Sequence, residues 1–170
     1  MRNNLAMSHV VAVLALSEAI GYDLTIPTMV FDATAQPYDV RVCGVDDKPV
    51  DVYGGYRMLL DHGPETLAEA DTVIVPGTRI TGPRHEGTLP GPVADALALI
   101  RPGTRIMSIC TGAFVLAEAG LLDGKRATTH WHDAQELARR YPRVTVDPNV
   151  LFVDDCGDSC GVLDFVPDNH

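Results

Sequence analysis

The sequence predicts a single α/β domain built on a doubly wound, mostly parallel sheet sandwiched by helices. Three observations carry this expectation: apolar runs of strand length recur along the chain, helical patterns separate them, and the connections are short. Strands buried on both faces of a parallel sheet read as unbroken aliphatic runs, and residues 9–16, HVVAVLAL, form such a run. A chain of 170 residues suits one core, since domains cluster near roughly 100–150 residues. Residues 1–155 are assigned to that domain and residues 156–170 to a C-terminal tail.

The elements follow in order. After the strand at 9–16, residues 23–33 place Leu24, Pro27, Val30 and Phe31 at helical spacing, with Pro27 expected near the first turn, where its missing amide is tolerated. Tyr38–Cys43 alternates Tyr, Val and Val with polar partners and suits a second strand, whereas residues 44–55 are turn-rich. A short helix at 65–70 leads into an apolar strand at 72–75 that stops at Pro76-Gly77. Residues 78–92 are polar and rich in Gly and Pro, so they read as a loop, of a length that often carries function. A helix at 94–100, a strand at 104–109, a helix at 110–119 and a strand at 127–130 come next. Residues 133–141 form a last helix with the stripe Ala134, Leu137, Ala138, Tyr141. The tail has no period and is expected to be irregular.

Composition excludes several classes. Hydrophobic residues at 46% against 21% charged put the chain far from disorder. A net charge of −10 repels a phosphate backbone, so direct nucleic-acid binding by this segment is not expected. The longest apolar run is far short of the ~20 residues of a membrane span, and residues 1–9 lack the pattern of a secretory leader; no membrane partner and a cytoplasmic setting are expected. There the four cysteines, Cys43, Cys110, Cys156 and Cys160, are expected to be free thiols. Cys156 and Cys160 have no second Cys/His pair near them, so neither a metal nor a cofactor is expected.

The chemistry centres on residues 105–116, RIMSICTGAFVL. An apolar strand runs straight into a helix, with the small residues Ser108, Thr111, Gly112 and Ala113 around Cys110, as a nucleophile elbow requires for close backbone crossing. Ligands of open α/β sheets gather outside the carboxyl ends of the strands, and a helix N-terminus favours a thiolate. Local sequence leaves two readings of Cys110: a reactive thiol, or the small buried hydrophobe that free cysteine usually is. Asp23, Gly77 and His130 each follow an expected strand and can converge on the same edge. Asp23 reads as an acid facing the thiol or as a helix cap; Gly77 as an oxyanion-facing amide or a strand end. The Thr111 amide is the second expected donor. His130 reads as a base for the thiol or as a packed core residue. Trp131 and His132 follow it and are candidates to close the pocket, and Tyr53 and Arg79 are expected near its mouth.

Residues 110–131, CTGAFVLAEAGLLDGKRATTHW, resemble the signature of the ThiJ/PfpI superfamily, in the branch that holds AraC-type transcription regulators and isocyanide hydratases. Residues 10–27, 38–44, 73–77 and 137–155 are similar to it as well. The resemblance implies a flavodoxin-like fold and a homodimer. By position it implies Asp23 as the acid facing the cysteine, Cys110 as the nucleophile, Gly77 and Thr111 as amides lining the site, and His130 as the histidine some members hold near that cysteine. Members acting as intracellular peptidases carry His directly after the cysteine, where this chain has Thr111, so a Cys-His protease loses its base. Isocyanide hydratases carry Asp, Cys and Thr where this chain has Asp23, Cys110 and Thr111. Regulators continue after residue 155 into another strand and helix and then a helix-turn-helix domain, a pattern the tail does not resemble, so the chain is expected to be marginally stable.

Three functions follow as expectations. The first is the small-molecule-sensing domain of an AraC-type regulator, without its helix-turn-helix portion in this chain. The second is a cysteine-dependent enzyme, concretely an isocyanide hydratase in which the Cys110 thiolate attacks the isocyanide carbon and Asp23 supplies the proton. The third is a stress-response thiol oxidised at Cys110.

Overall fold

The structure, a computed structural model, describes residues 8–154 and 160–163. The central sheet has six strands, β1 (His9–Leu14), β2 (Tyr38–Cys43), β5 (Thr72–Val75), β6 (Arg105–Ile109), β9 (Phe152–Asp154) and β10 (Cys160–Leu163), in the order β2-β1-β5-β6-β10-β9. Every neighbouring pair is parallel except β9 with β10. A hairpin of β3 (Val50–Val52) and β4 (Tyr56–Met58) and a small parallel pair of β7 (Arg126–Ala127) with β8 (Thr145–Val146) lie outside it. The helices are α1 (Gly21–Asp32), α2 (Thr66–Glu69), α3 (Gly91–Leu97), α4 (Gly112–Glu118) and α5 (Ala134–Arg140). This is the single, doubly wound α/β domain the sequence predicts.

Period-two geometry explains why β1 is apolar throughout. Ala12 and Leu14 join one core cluster with Leu67, Val73, Val75, Phe114, Leu116 and Leu137, so α2, α4 and α5 cover that face. Val11 and Val13 join a second cluster with Leu24, Val50, Ile74 and Ile109, beneath α1 and the β3–β4 hairpin. A strand with a helical layer on each side has no polar face to show.

Several local expectations are corrected. Helix α1 begins at Gly21, which moves Pro27 out of the first turn and into the helix interior, where it removes the amide that the Asp23 carbonyl would accept from. Residues 44–55 contain a strand, β3, hidden by its short length and by Asp51 at its centre. The strand expected at 127–130 shrinks to Arg126–Ala127 and pairs away from the main sheet; buried Thr128 and Thr129 hydrogen-bond through their side chains instead. The tail is not irregular throughout, because Cys160–Leu163 inserts between β6 and β9 and pairs parallel with β6. That strand supplies one of the two core elements expected to be missing. Residues 155–159 and 164–170, with Cys156, lie outside the described residues. Among the described residues, no helix is long and apolar enough to cross a membrane.

Strand order places a switch point between β1 and β5, since the chain leaves β1 for β2 on one side and returns to β5 on the other. Ligand crevices form at the carboxyl ends of strands flanking such a point.

Candidate functional site

At the carboxyl end of β6 the chain turns sharply into α4. Cys110, the residue at the turn, has φ 54° and is 8% exposed. The left-handed region is strained for a residue with a Cβ, and such strain gathers at functional sites. The turn is made tight by Gly112, where a Cβ would lie 2.1 Å from the Val75 carbonyl oxygen and 2.8 Å from that of Pro76. Helix α4 therefore packs backbone-to-backbone on the end of β5, which holds its N-terminus and Cys110 against the carboxyl end of that strand. The expected helix at 110–119 accordingly begins two residues later than the sequence pattern suggests.

Asp23 and Gly77 meet at that edge. Asp23 is 1% exposed, and its Oδ2 accepts a hydrogen bond from the Gly77 amide at 3.1 Å. A Cβ on Gly77 would lie 2.2 Å from the same oxygen, so only glycine lets the carboxyl approach. The Gly77 amide is thus committed to Asp23, not turned toward an oxyanion. The Gly77 carbonyl accepts from the Ile20 amide at 2.8 Å, which fixes the start of α1 against the end of β5.

Thr111 is placed by a two-way clamp. Its Oγ1 accepts from the Thr78 amide at 3.1 Å and donates to the Thr78 carbonyl at 2.8 Å. The one proton a hydroxyl owns is committed there. Thr78 Oγ1 in turn donates to the Ser17 carbonyl at 2.7 Å, so β1, β5 and α4 are joined through two threonines. Thr129, 1% exposed, donates its Oγ1 to the Cys110 carbonyl at 2.9 Å and holds the segment before His130 beside the turn. Sequence reasoning passed over Thr78 and Thr129; the signal was a pair of β-branched polar residues, Thr128-Thr129, directly before His130, and a Thr directly after Gly77.

His130 is half-buried, and its Nδ1 lies 3.8 Å from Asp133 Oδ2. Trp131 stacks beside it with ring centroids 5.7 Å apart but is 61% exposed, so it forms an outer rim instead of a buried wall. Tyr53 and Arg79 do come together at this end: the guanidinium carbon of Arg79 sits 4.4 Å above the Tyr53 ring, and the Arg79 amide donates to the carbonyl of Glu18 at 3.0 Å. Glu18, with φ 56°, is the second non-glycine residue with positive φ among those described. It borders a hollow of about 410 Å³ lined also by Val52, Tyr53 and Tyr56. A groove of about 480 Å³ at the opposite ends of the strands, lined by His9, Arg101 and Arg105, includes none of the Cys110 constellation.

Cys43 and Cys110 differ in their surroundings. Cys43 is fully enclosed at the end of β2, and burial, followed by the charge of Glu65, pushes its thiol up to about 12. It behaves as a small hydrophobe. Cys110 sits at a strained turn on a helix N-terminus, the surroundings in which thiols react. Among the described residues, no group of three or more His, Cys, Asp or Glu is placed to hold a metal ion.

Comparison with known proteins places the chain in a family. Residues 9–156 match the DJ-1/PfpI family. An uncharacterized protein from the cpoL 5′ region of Streptomyces lividans is 38% identical over 139 residues, covering 79% of this chain and 96% of that one. The HTH-type transcriptional regulator CdhR of Pseudomonas aeruginosa is 34% identical over 122 residues, 71% of this chain but 35% of the regulator. The isonitrile hydratase of Pseudomonas putida is 36% identical over 140 residues, 76% of this chain and 58% of the enzyme. Among solved structures, Drosophila melanogaster DJ-1beta superposes with a TM-score of 0.74 at 21% identity, covering 94% of this chain and 83% of that one. An AraC family transcriptional regulator from Pseudomonas putida gives 0.70 at 19% identity, covering 91% and 83%. A parallel sheet wound on both sides and a strained cysteine between β6 and α4 thus accompany a family match over most of the sequence: the chain belongs to the DJ-1/PfpI family.

Proposed function

We propose that this chain is the small-molecule-binding domain of an AraC-type transcription regulator, and that its ligand sits at the Cys110 turn. The observation that carries the reading is the match to the HTH-type regulators CdhR and GbdR, 34% and 30% identical, in which this chain spans only 35% and 31% of the regulator's length. Two thirds of each regulator lies outside the match, and DNA contact belongs there, since a net charge of −10 opposes it here.

A homodimer is part of the reading. Tyr22, Met29 and Val30 on α1 are exposed apolar side chains that a second copy would cover. A cytoplasmic setting goes with it. The test is a chimera in which this domain replaces the matching segment of CdhR ahead of a reporter. Reporter output that responds to a compound from a panel of amino acids, carboxylates and amines, and loses that response with Gly77→Leu, is expected; output indifferent to the whole panel overturns the reading.

The second reading is a hydratase, favoured by 36% identity to isonitrile hydratase over 140 residues. In that reading Cys110 at its nucleophile elbow attacks the isocyanide carbon, Asp23 protonates the adduct, and water releases the N-substituted formamide.

A further inference from the structure

The amino ends of β1, β5 and β6 are tied together by one residue. Asp71, directly before β5, accepts the Val10 amide on its Oδ2 at 2.9 Å and donates its own amide to the Val10 carbonyl at 2.9 Å. Its carbonyl accepts the Arg105 amide at 3.0 Å. Strand β6 is entered through a tight turn, Arg101-Pro102-Gly103-Thr104, closed by the Thr104 amide on the Arg101 carbonyl at 3.2 Å, with Gly103 at φ 87°. Pro and Gly at the two central positions suit such a turn. It brings Arg101 and Arg105 to the same groove of about 480 Å³, with His9 and Asp71 on the walls.

These two arginines stand apart from the rest. With 13 basic against 23 acidic residues in the chain, carboxylates are plentiful, and most of the described arginines, Arg41, Arg57 and Arg84 among them, pair with one. Arg101 and Arg105 pair with none among the described residues. Arg101 is nevertheless steered: its Nη2 donates to the carbonyls of Glu69 at 3.2 Å and Ala70 at 3.3 Å. Asp71 is the one carboxylate lining the groove, so two guanidinium charges face a single negative charge, whose Oδ2 already accepts the Val10 amide. His9, held by Nε2 to Thr72 Oγ1 at 2.9 Å, adds no negative charge. The groove thus carries a local positive excess in a chain of net charge −10, and its volume is within the range of small-molecule sites.

We propose that this groove is a second binding site, separate from the Cys110 turn, and that it takes a phosphoryl group between Arg101 and Arg105. Guanidinium forks match phosphoryl oxygens and carboxylates alike. Attraction to a net positive groove grows with the charge of the ligand, which favours a phosphoryl dianion over a carboxylate. The groove also leaves room for the organic part of a phosphate monoester. The inference is independent of the binding-domain reading, since none of its residues belongs to the Cys110 site.

The test is calorimetric titration of the whole chain with ribose 5-phosphate, inorganic phosphate, ribose and acetate at one ionic strength. Saturable binding of both phosphates is expected, and none of ribose or acetate. Tighter binding of the ester assigns an organic phosphate; equal binding assigns the free ion. Arg105→Gln is expected to weaken the phosphates by about tenfold, the effect of one lost charge-assisted hydrogen bond. Arg105 makes no side-chain bond that folding would miss, so this variant keeps the test open if Arg101→Gln does not fold. Arg57→Gln, which removes an equal charge from the β3–β4 hairpin outside the groove, should leave the affinity unchanged. Absence of phosphate binding, acetate binding as tightly as phosphate, unchanged affinity in Arg105→Gln, or an equal loss in Arg57→Gln overturns the proposal.

Discussion

The carboxylate of Asp23 and the amide of Gly77 are 54 positions apart in sequence and 3.1 Å apart in space. Their contact crosses the switch point of the sheet, joining the helix after β1 to the end of β5. It is also the contact that makes glycine necessary at position 77.

Gly77→Ala tests that necessity. Its Cβ would meet Asp23 Oδ2 at 2.2 Å and Ile20 Cγ1 at 3.2 Å, so either the carboxyl or the strand end must move. Overpacking of this kind costs about 1–3 kcal/mol. A denaturation midpoint indistinguishable from wild type would show that Asp23 is not held as described.

Thr111→Val keeps the shape of the side chain and removes the hydroxyl, leaving the Thr78 amide and carbonyl without their partner. Each buried group so stranded costs about 1–3 kcal/mol. Thr111→Ser, which retains the hydroxyl, should recover most of the loss in urea unfolding; equal destabilisation by both would assign the effect to packing of the methyl group.

Glu18→Gly should stabilise. Glu18 has φ 56°, a conformation that carries a Cβ penalty of roughly 1–2 kcal/mol which glycine escapes. With the entropy of a more flexible unfolded chain set against it, a net gain of about 1 kcal/mol would raise the melting temperature by about 2–4 °C at this size. A lower melting temperature would mean that the Glu18 side chain contributes contacts outweighing the strain.

Cys43 and Cys110 should part in alkylation and in pH dependence. Because burial pushes the Cys43 thiol up to about 12, it stays protonated in the folded chain while an unfolded thiol ionises near pH 8.5. Its contribution to stability is complete below that value and is lost as pH rises toward 12. Cys43→Ala should therefore flatten the fall in stability above pH 9, measured as the difference from wild type. At pH 8, iodoacetamide should add mass to the Cys110 peptide before the Cys43 peptide; earlier labelling of the Cys43 peptide would contradict the burial assigned to it.

Much of this was legible in the sequence, for a physical reason: strands buried on both faces must be apolar, so β1 and β5 announced themselves, β2 showed as an alternation of Tyr and Val with polar residues, and the turn after the apolar run of β6 marked Cys110. What escaped detection lacked a run. Strand β3 is three residues long with Asp51 in the middle, and β10 includes two residues, Cys160 and Gly161, that carry little strand signal. The clamps made by Thr78, Thr111 and Thr129 are side-chain bonds between distant segments, and no local pattern encodes such pairings. The strained φ of Cys110 was likewise invisible, although the small residues around it indicated a tight crossing.

On the proposed binding-domain reading, the Cys110 site holds a ligand and does not turn one over. The most direct measurement is formation of the N-aryl formamide from an aryl isocyanide by the folded chain, run beside Cys110→Ala. No formamide above the buffer rate is expected from either protein. Turnover by the wild-type chain that disappears in Cys110→Ala would contradict it and make the chain a hydratase.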